Sequence, residues 1–375
     1  MPKVAVNEIS DYLENGLQRK RYTKSEYDEF LTSLTFTTSY NELHDADLVF
    51  EAVGKNLYNA ISNQIERNVS ENCIIASTTC RFTLEKNISG SSSKRRQTIG
   101  MHYSIPIEKT QILEIISCGA TSPETIAIAS SFGLVQKKLI VPVKNFSFII
   151  RCLLPLASEV VRLMCEGFSP EEVDALTKSA GFHVGCVKLI DGIGIANLTC
   201  AAVNLAYDMG DRAMNEPIRI LEEMVKAKFY GKSVNLGFYD YSNPDSPQIN
   251  PDAIQILKML PIKPKKQKYT SPEDCQLRII SRFVNEACFC LEEGVIASPA
   301  NGDIASVFGL GFPPFKGGPF RFIDSYGAEN LLNAMKRFGK AYSKKEFKPA
   351  KILQEYAKSG KKFYHPHQPL VNNKL

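Results

Sequence analysis

Apolar positions along residues 45–143 follow two alternating rhythms. Short runs read as strands: "ADLVFEAV" (46–53), "CIIAST" (73–78), "TIGMHY" (98–103), "QILEII" (111–116) and "LIVPV" (139–143). Between the first two, Leu57, Ile61, Ile65 and Val69 share one face of a helix. "PETIAIASSFGL" (123–134) is a second helical pattern, and "ISGSSSKRRQ" (88–97) a polar loop. Strands separated by helices of this length predict a mostly parallel α/β sheet. After Arg151 the signal becomes helical. "LLPLASEVVRLMCEG" (153–167) is an amphipathic helix ending at Gly167. "SPEEVDALTKSAG" (169–181) follows, with Ser169 as N-cap, Pro170 in first position and Glu172 completing a capping box. The Pro-, Asn- and Lys-rich segments at 242–252 and 261–268 read as connection and linker, and a second helical block runs from 272 onward. The opening "MPKVAVNEISDYLENGLQRKRY" reads as a helix that begins abruptly. Glu8, Asp11 and Glu14 argue against a transit peptide, so the expectation is a fragment opening mid-domain.

The two helical blocks echo one another. "SEVVRLMCEG" (158–167) matches "NEACFCLEEG" (285–294), with Glu159 answering Glu286. Downstream, Asp174, Gly181-Phe182 and Ile190-Asp191 answer Asp303, Gly311-Phe312 and Ile323-Asp324. A period of about 127 residues is too long for a solenoid and points to a duplicated domain whose copies pack together. The expected fold is a truncated Rossmann-like α/β domain (1–150), a first helical domain (151–260), a linker (261–271) and a second helical copy (272–375).

Composition narrows the choice of partners. The 375 residues are 44% hydrophobic, enough for two or three cores, and the net charge of +5 gives only a weak case for a nucleic-acid or membrane partner, so no nucleic acid is expected. No apolar run approaches the roughly 20 residues that span a bilayer, so at most peripheral membrane association is expected. Ten scattered cysteines without a CxxC pair read as reduced, buried thiols.

Chemistry enters at "IGMHYSIPIEKTQILEII" (99–116), which sets His102 and Glu114 in two apolar strands. A carboxylate buried without a partner is penalised by several kcal/mol. An imidazole on the adjacent strand would relieve that penalty, leaving its second ring nitrogen facing the strand-end cleft where α/β sheets bind ligands. The competing reading on spacing alone is a satisfied structural histidine, with Glu114 facing solvent at a sheet edge.

These residues carry a resemblance. "GMHYSIP" with the following "LEII", "ADLVFEAV", "LLPLASEVVRLMCEG" and "VFGLGFPPFKGGPFRFID" together resemble the L-3-hydroxyacyl-CoA dehydrogenases, closest to the dehydrogenase half of the mitochondrial trifunctional type. The resemblance implies NAD as cofactor and an acyl-CoA substrate. His102 would be the general base for the 3-hydroxyl, oriented and charge-stabilised by Glu114. The helical domains would supply a dimerisation surface, in a homodimer or a complex with a thiolase subunit, and the location would be the mitochondrial matrix or inner-membrane face. Around the implied cofactor, Lys55 stands where the family usually has an acid and Thr78 where it has asparagine. Cys80 replaces the serine that hydrogen-bonds the substrate hydroxyl, and Ile150 stands where many relatives carry a polar residue. No GxGxxG occurs, which leaves a non-catalytic structural partner or an acyl-CoA-binding subunit as the alternative. His183, the "HPH" of 365–367, "SSKRR" (92–96) and the "GFPPFKGGP" turn (311–319) are read as structural or solvated elements.

Overall fold

The computed structural model describes residues 2–53, 58–78, 97–108, 110–259 and 269–364. Two helices open the chain, α1 (Pro2–Gln18) and α2 (Lys24–Thr32), the second started by a Thr23/Glu26 capping box. Then follow β1 (Leu48–Glu51), α3 (Tyr58–Asn68), β2 (Ile74–Ser77), β3 (Thr98–Tyr103), β4 (Ile112–Ser117), α4 (Pro123–Val135) and β5 (Leu139–Lys144). The sheet order is β1-β2-β3-β4-β5, parallel throughout except between β3 and β4. That exception corrects the simple strand–helix alternation. The link from Tyr103 to Ile112 is too short for a crossover, which takes a dozen or more residues, so β4 must turn back antiparallel.

The pleat sorts the side chains. Ile74, Ala76, Met101, Leu113, Ile115 and Ala129 of α4 make the core on one face. On the other, Ile112, Ile116, Val141 and Val143 join the core of the helical half. Glu114 lies between Ile112 and Ile116 and therefore points to the helical side.

The helical half begins earlier than the apolar pattern suggested. α5 spans Phe148–Cys165, capped by Ser147 and running through Pro155. The Phe-, Ile-rich start is a poor helix former by propensity, but burial of the whole first turn overrides that preference. α6 (Pro170–Ser179) carries the anticipated Ser169/Glu172 box. α7 (Cys186–Ile193), α8 (Ile195–Met209), α9 (Glu216–Lys226) and α10 (Pro251–Met259) complete the first copy. The second copy has α11 (Pro272–Glu292), α12 (Pro299–Leu310), α13 (Pro319–Tyr326), α14 (Ala328–Ala341) and α15 (Lys351–Ser359). All nine described cysteines are free thiols. Among the described residues no single helix is long and apolar enough to cross a membrane.

The duplication is written in matched hydrogen bonds. Asp174 accepts from the Tyr239 hydroxyl at 2.8 Å, and Asp191 from the Phe238 and Tyr239 amides at 3.0 Å. In the second copy Asp303 accepts from the Tyr364 hydroxyl at 2.7 Å, and Asp324 from the Phe363 and Tyr364 amides at 2.8 Å. The copies meet through α5 and α11, whose ion pairs are reciprocal. Arg151 donates to Glu286 from Nε at 3.2 Å and to Glu293 at 2.6 Å. Arg278 donates to Glu159 from Nε at 2.7 Å and to Glu166 at 2.8 Å. Phe182 and Phe312, equivalent positions, meet edge-on with centroids 6.0 Å apart. The surroundings of the two acids have diverged. Burial alone would raise the Glu159 carboxyl, but the guanidiniums of Arg278, Arg162 and Arg282 hold it below its usual range. Burial keeps Glu286 above its usual range against Arg151 and Arg212, with Glu293 adding repulsion.

Removing one partner of a buried pair strands the other. Arg278→Ala takes from the buried Glu159 and from Glu166 the guanidinium they share, leaving Glu159 only the longer Arg162 contact at 3.5 Å, and we expect a loss of about 3–5 kcal/mol of unfolding free energy, read from urea denaturation. A loss below about 1 kcal/mol would show that the ion pair does not hold the two copies together.

Candidate active site

Antiparallel pairing sets His102 of β3 directly opposite Glu114 of β4. Directly opposed residues project to the same face, so two acts of local folding, a short return and a two-residue pleat, bring acid and imidazole together. His102 Nδ1 lies 2.8 Å from Glu114 Oε2. With the carboxylate accepting, Nδ1 carries the hydrogen and Nε2 is left as the free base. Glu114 is 0% exposed and β4 is an interior strand, which overturns the alternative of an acid facing solvent at a sheet edge. The imidazole keeps 14% of its side-chain surface, enough to be reached from outside.

Two further groups complete the carboxylate's surroundings. The Ile149 amide donates to Glu114 Oε1 at 3.1 Å, and the Ser147 hydroxyl donates to Oε2. Both belong to the start of α5, where unpaired N–H groups and the helix dipole favour a negative charge. Ser147 was legible in principle as a serine just before an apolar helical run, but a helix read as starting at residue 153 conceals it.

A second buried acid sits at the carboxyl end of β1. Glu51 accepts from the Ser77 hydroxyl and the Val53 amide, both at 2.7 Å. It too could have been found by asking why an acid interrupts "LVFEAV". Thr78 follows β2 and is half-buried, with its amide donating to the Glu51 carbonyl at 3.0 Å. Lys55 and Cys80 lie outside the described residues, as do "SSKRR" and the "HPH" tail. Thus the structure joins His102 to Glu114 and places Thr78 beside Glu51.

Dinucleotide-binding sheets hold their cofactor across the carboxyl ends of parallel strands, with the pyrophosphate on a glycine-rich turn that opens a helix. The ends of β1 and β2, with Glu51, Ser77 and Thr78, provide the strand-end edge. The sequence contains no GxGxxG turn.

An α/β sheet thus meets a duplicated helical half at a histidine–carboxylate pair. Residues 2–146 match the NAD-binding domain of 3-hydroxyacyl-CoA dehydrogenase, and residues 148–241 and 276–367 match its C-terminal domain, so the chain belongs to the 3-hydroxyacyl-CoA dehydrogenase family. The second match falls on both helical copies. The chain is similar to the fatty acid oxidation complex subunit alpha of Shewanella loihica, 34% identical over 358 residues, covering 94% of this chain and 49% of that protein. It therefore spans about half the length of the curated relatives it matches. Its fold resembles a crystal structure of 3-hydroxybutyryl-CoA dehydrogenase from Escherichia coli, with TM-score 0.76 at 20% identity, covering 95% of this chain and 90% of that one. It also resembles the dehydrogenase part of multifunctional enzyme 1 from C. elegans, with TM-score 0.60 at 25% identity, covering 95% and 82%.

Glu114→Ala would leave the Ser147 hydroxyl, the Ile149 amide and the imidazole without their shared acceptor. We expect a destabilisation of about 3 kcal/mol, measured by thermal or urea unfolding. A variant as stable as the parent would mean that the three donors find solvent or other acceptors.

Proposed function

We propose that this chain carries the proton-transfer apparatus for oxidising an L-3-hydroxyacyl-CoA to the 3-oxoacyl-CoA, with His102 as the general base. The hydrogen bond between His102 Nδ1 and the fully buried Glu114 supports this reading most directly. It presents Nε2 as the acceptor for the substrate's hydroxyl proton, while the carboxylate steadies the positive charge that the ring then acquires. In the family's reaction NAD supplies the hydride acceptor. What this chain contributes is the oriented base, the anchored acid and the helical wall beside them. Thr78, Cys80 and Lys55 are proposed cofactor- and substrate-side contacts on resemblance alone. The relatives named as alpha subunits of a complex support a partner subunit, which we propose to be a thiolase. The mitochondrial setting is likewise a proposal, carried by the sequence resemblance alone.

The absence of GxGxxG favours a second reading, a relative that binds acyl-CoA without redox chemistry. Titrating NADH and a hydroxyacyl-CoA separately into the purified chain separates the two. On the first reading NADH binds, turnover is measurable, and His102→Ala lowers it by about 10²–10⁴-fold. On the second, acyl-CoA at 100 times its Kd stabilises the chain by about 2.7 kcal/mol while NADH does nothing. Turnover unaffected by His102→Ala would remove His102 from the chemistry.

A further inference from the structure

To the base and its acid the structure adds the residue that fixes the acid. We propose that Ser147 is a positioning residue for His102. It acts by locking the Glu114 carboxylate in the one orientation that serves the imidazole. The inference rests on the reading of His102 as the base.

The two carboxylate oxygens are not equivalent. Oε1 takes the Ile149 amide at 3.1 Å. Oε2 is shared between His102 Nδ1, at 2.8 Å, and the Ser147 hydroxyl. Ser147 is itself fully buried, accepts from the Ile150 amide at 3.1 Å as the N-cap of α5, and lies 3.3 Å from His102 Nδ1. A hydroxyl can donate once and accept at the same time, so one side chain caps the helix and holds the acid. Alanine could do neither, and an aspartate cap would set a second anion against Glu114. Rotation of the carboxylate therefore requires breaking the Ser147 and Ile149 bonds together. One helical turn further along α5, Arg151 is held by Glu286 and Glu293 of the second copy. The clamp on the acid is thus anchored in the helical half rather than in the sheet.

The test compares the parent with Ser147→Ala, Ser147→Gly and Ser147→Thr by proton and ¹⁵N NMR of the His102 ring, alongside kcat and KM. In Ser147→Ala, the carboxylate loses the donor that holds Oε2 against the imidazole. The Nδ1–H resonance should then move upfield by about 1 ppm or more, because the bond to a carboxylate out of register is longer and weaker. In an active preparation kcat should fall about three- to tenfold with KM unchanged, because the acid is no longer held in register. Ser147→Thr, which keeps the hydroxyl, should restore both. Should the alanine variant fail to fold, Ser147→Gly removes the same hydroxyl at a cap position where glycine is tolerated. An unmoved Nδ1–H resonance with only a lowered melting temperature would reduce Ser147 to a helix cap and overturn the proposal. The ring resonance needs no turnover, so a chain inactive with NAD still decides the role of Ser147, whereas loss of the dehydrogenase reading would show in the NADH and His102→Ala measurements.

Discussion

One carboxylate with no access to water must be satisfied where the sheet meets the first helix of the helical half. Glu114 sits on the sheet face that Ile112 and Ile116 bury against α5, so its charge is compensated from three directions: an imidazole on the neighbouring strand, a serine hydroxyl and a backbone amide. None of these alone repays the desolvation of a buried acid; together they do. The same arrangement leaves the far side of the imidazole open. Structural necessity and chemical capability therefore share a single set of atoms, and the start of α5 belongs to both the packing of the domain and the geometry of its site.

The position of α5 is in turn set by the second copy. Its Arg151 is locked to α11 by Glu286 and Glu293, while α11 returns Arg278 to Glu159 and Glu166. Aliphatic side chains fill most of the interface, but they are non-directional and tolerate sliding. The guanidinium–carboxylate forks do not, because each requires planar, short-range alignment. Contact between the copies also reaches the sheet, where the Lys144 amide at the end of β5 donates to the Val295 carbonyl at 2.9 Å. The second copy carries none of the site's side chains named above, yet it fixes the helix that does.

Much of this was legible in the residues. Strand positions followed from apolar runs, the α6 cap from Ser169 and Glu172, and the duplication from the spacing of Glu159 and Glu286, because each depends on local periodicity or on self-similarity. The penalty on a lone buried acid made a His102–Glu114 contact one of two open readings, and the family resemblance selected it. Three things escaped. The antiparallel turn of β4 depends on the length of one loop, which alternation of elements does not weigh. The early start of α5 depends on tertiary burial overriding weak helix propensity at "FSFII". Ser147 and Glu51 each stand out locally, as a serine before an apolar run and an acid inside one, but the side chains they bind lie 33 and 26 residues away, so no local pattern names those partners.

The duplicated half has a consequence for how the molecule responds to dilution. When matching surfaces sit on separate copies of a protein, their contact obeys mass action and fails as the protein becomes scarce. Here α5 and α11 belong to one polypeptide, so their encounter is governed by an effective concentration that the tether sets and dilution leaves untouched. The geometry around the imidazole, which leans on that contact through Arg151, is accordingly insensitive to how many molecules surround it.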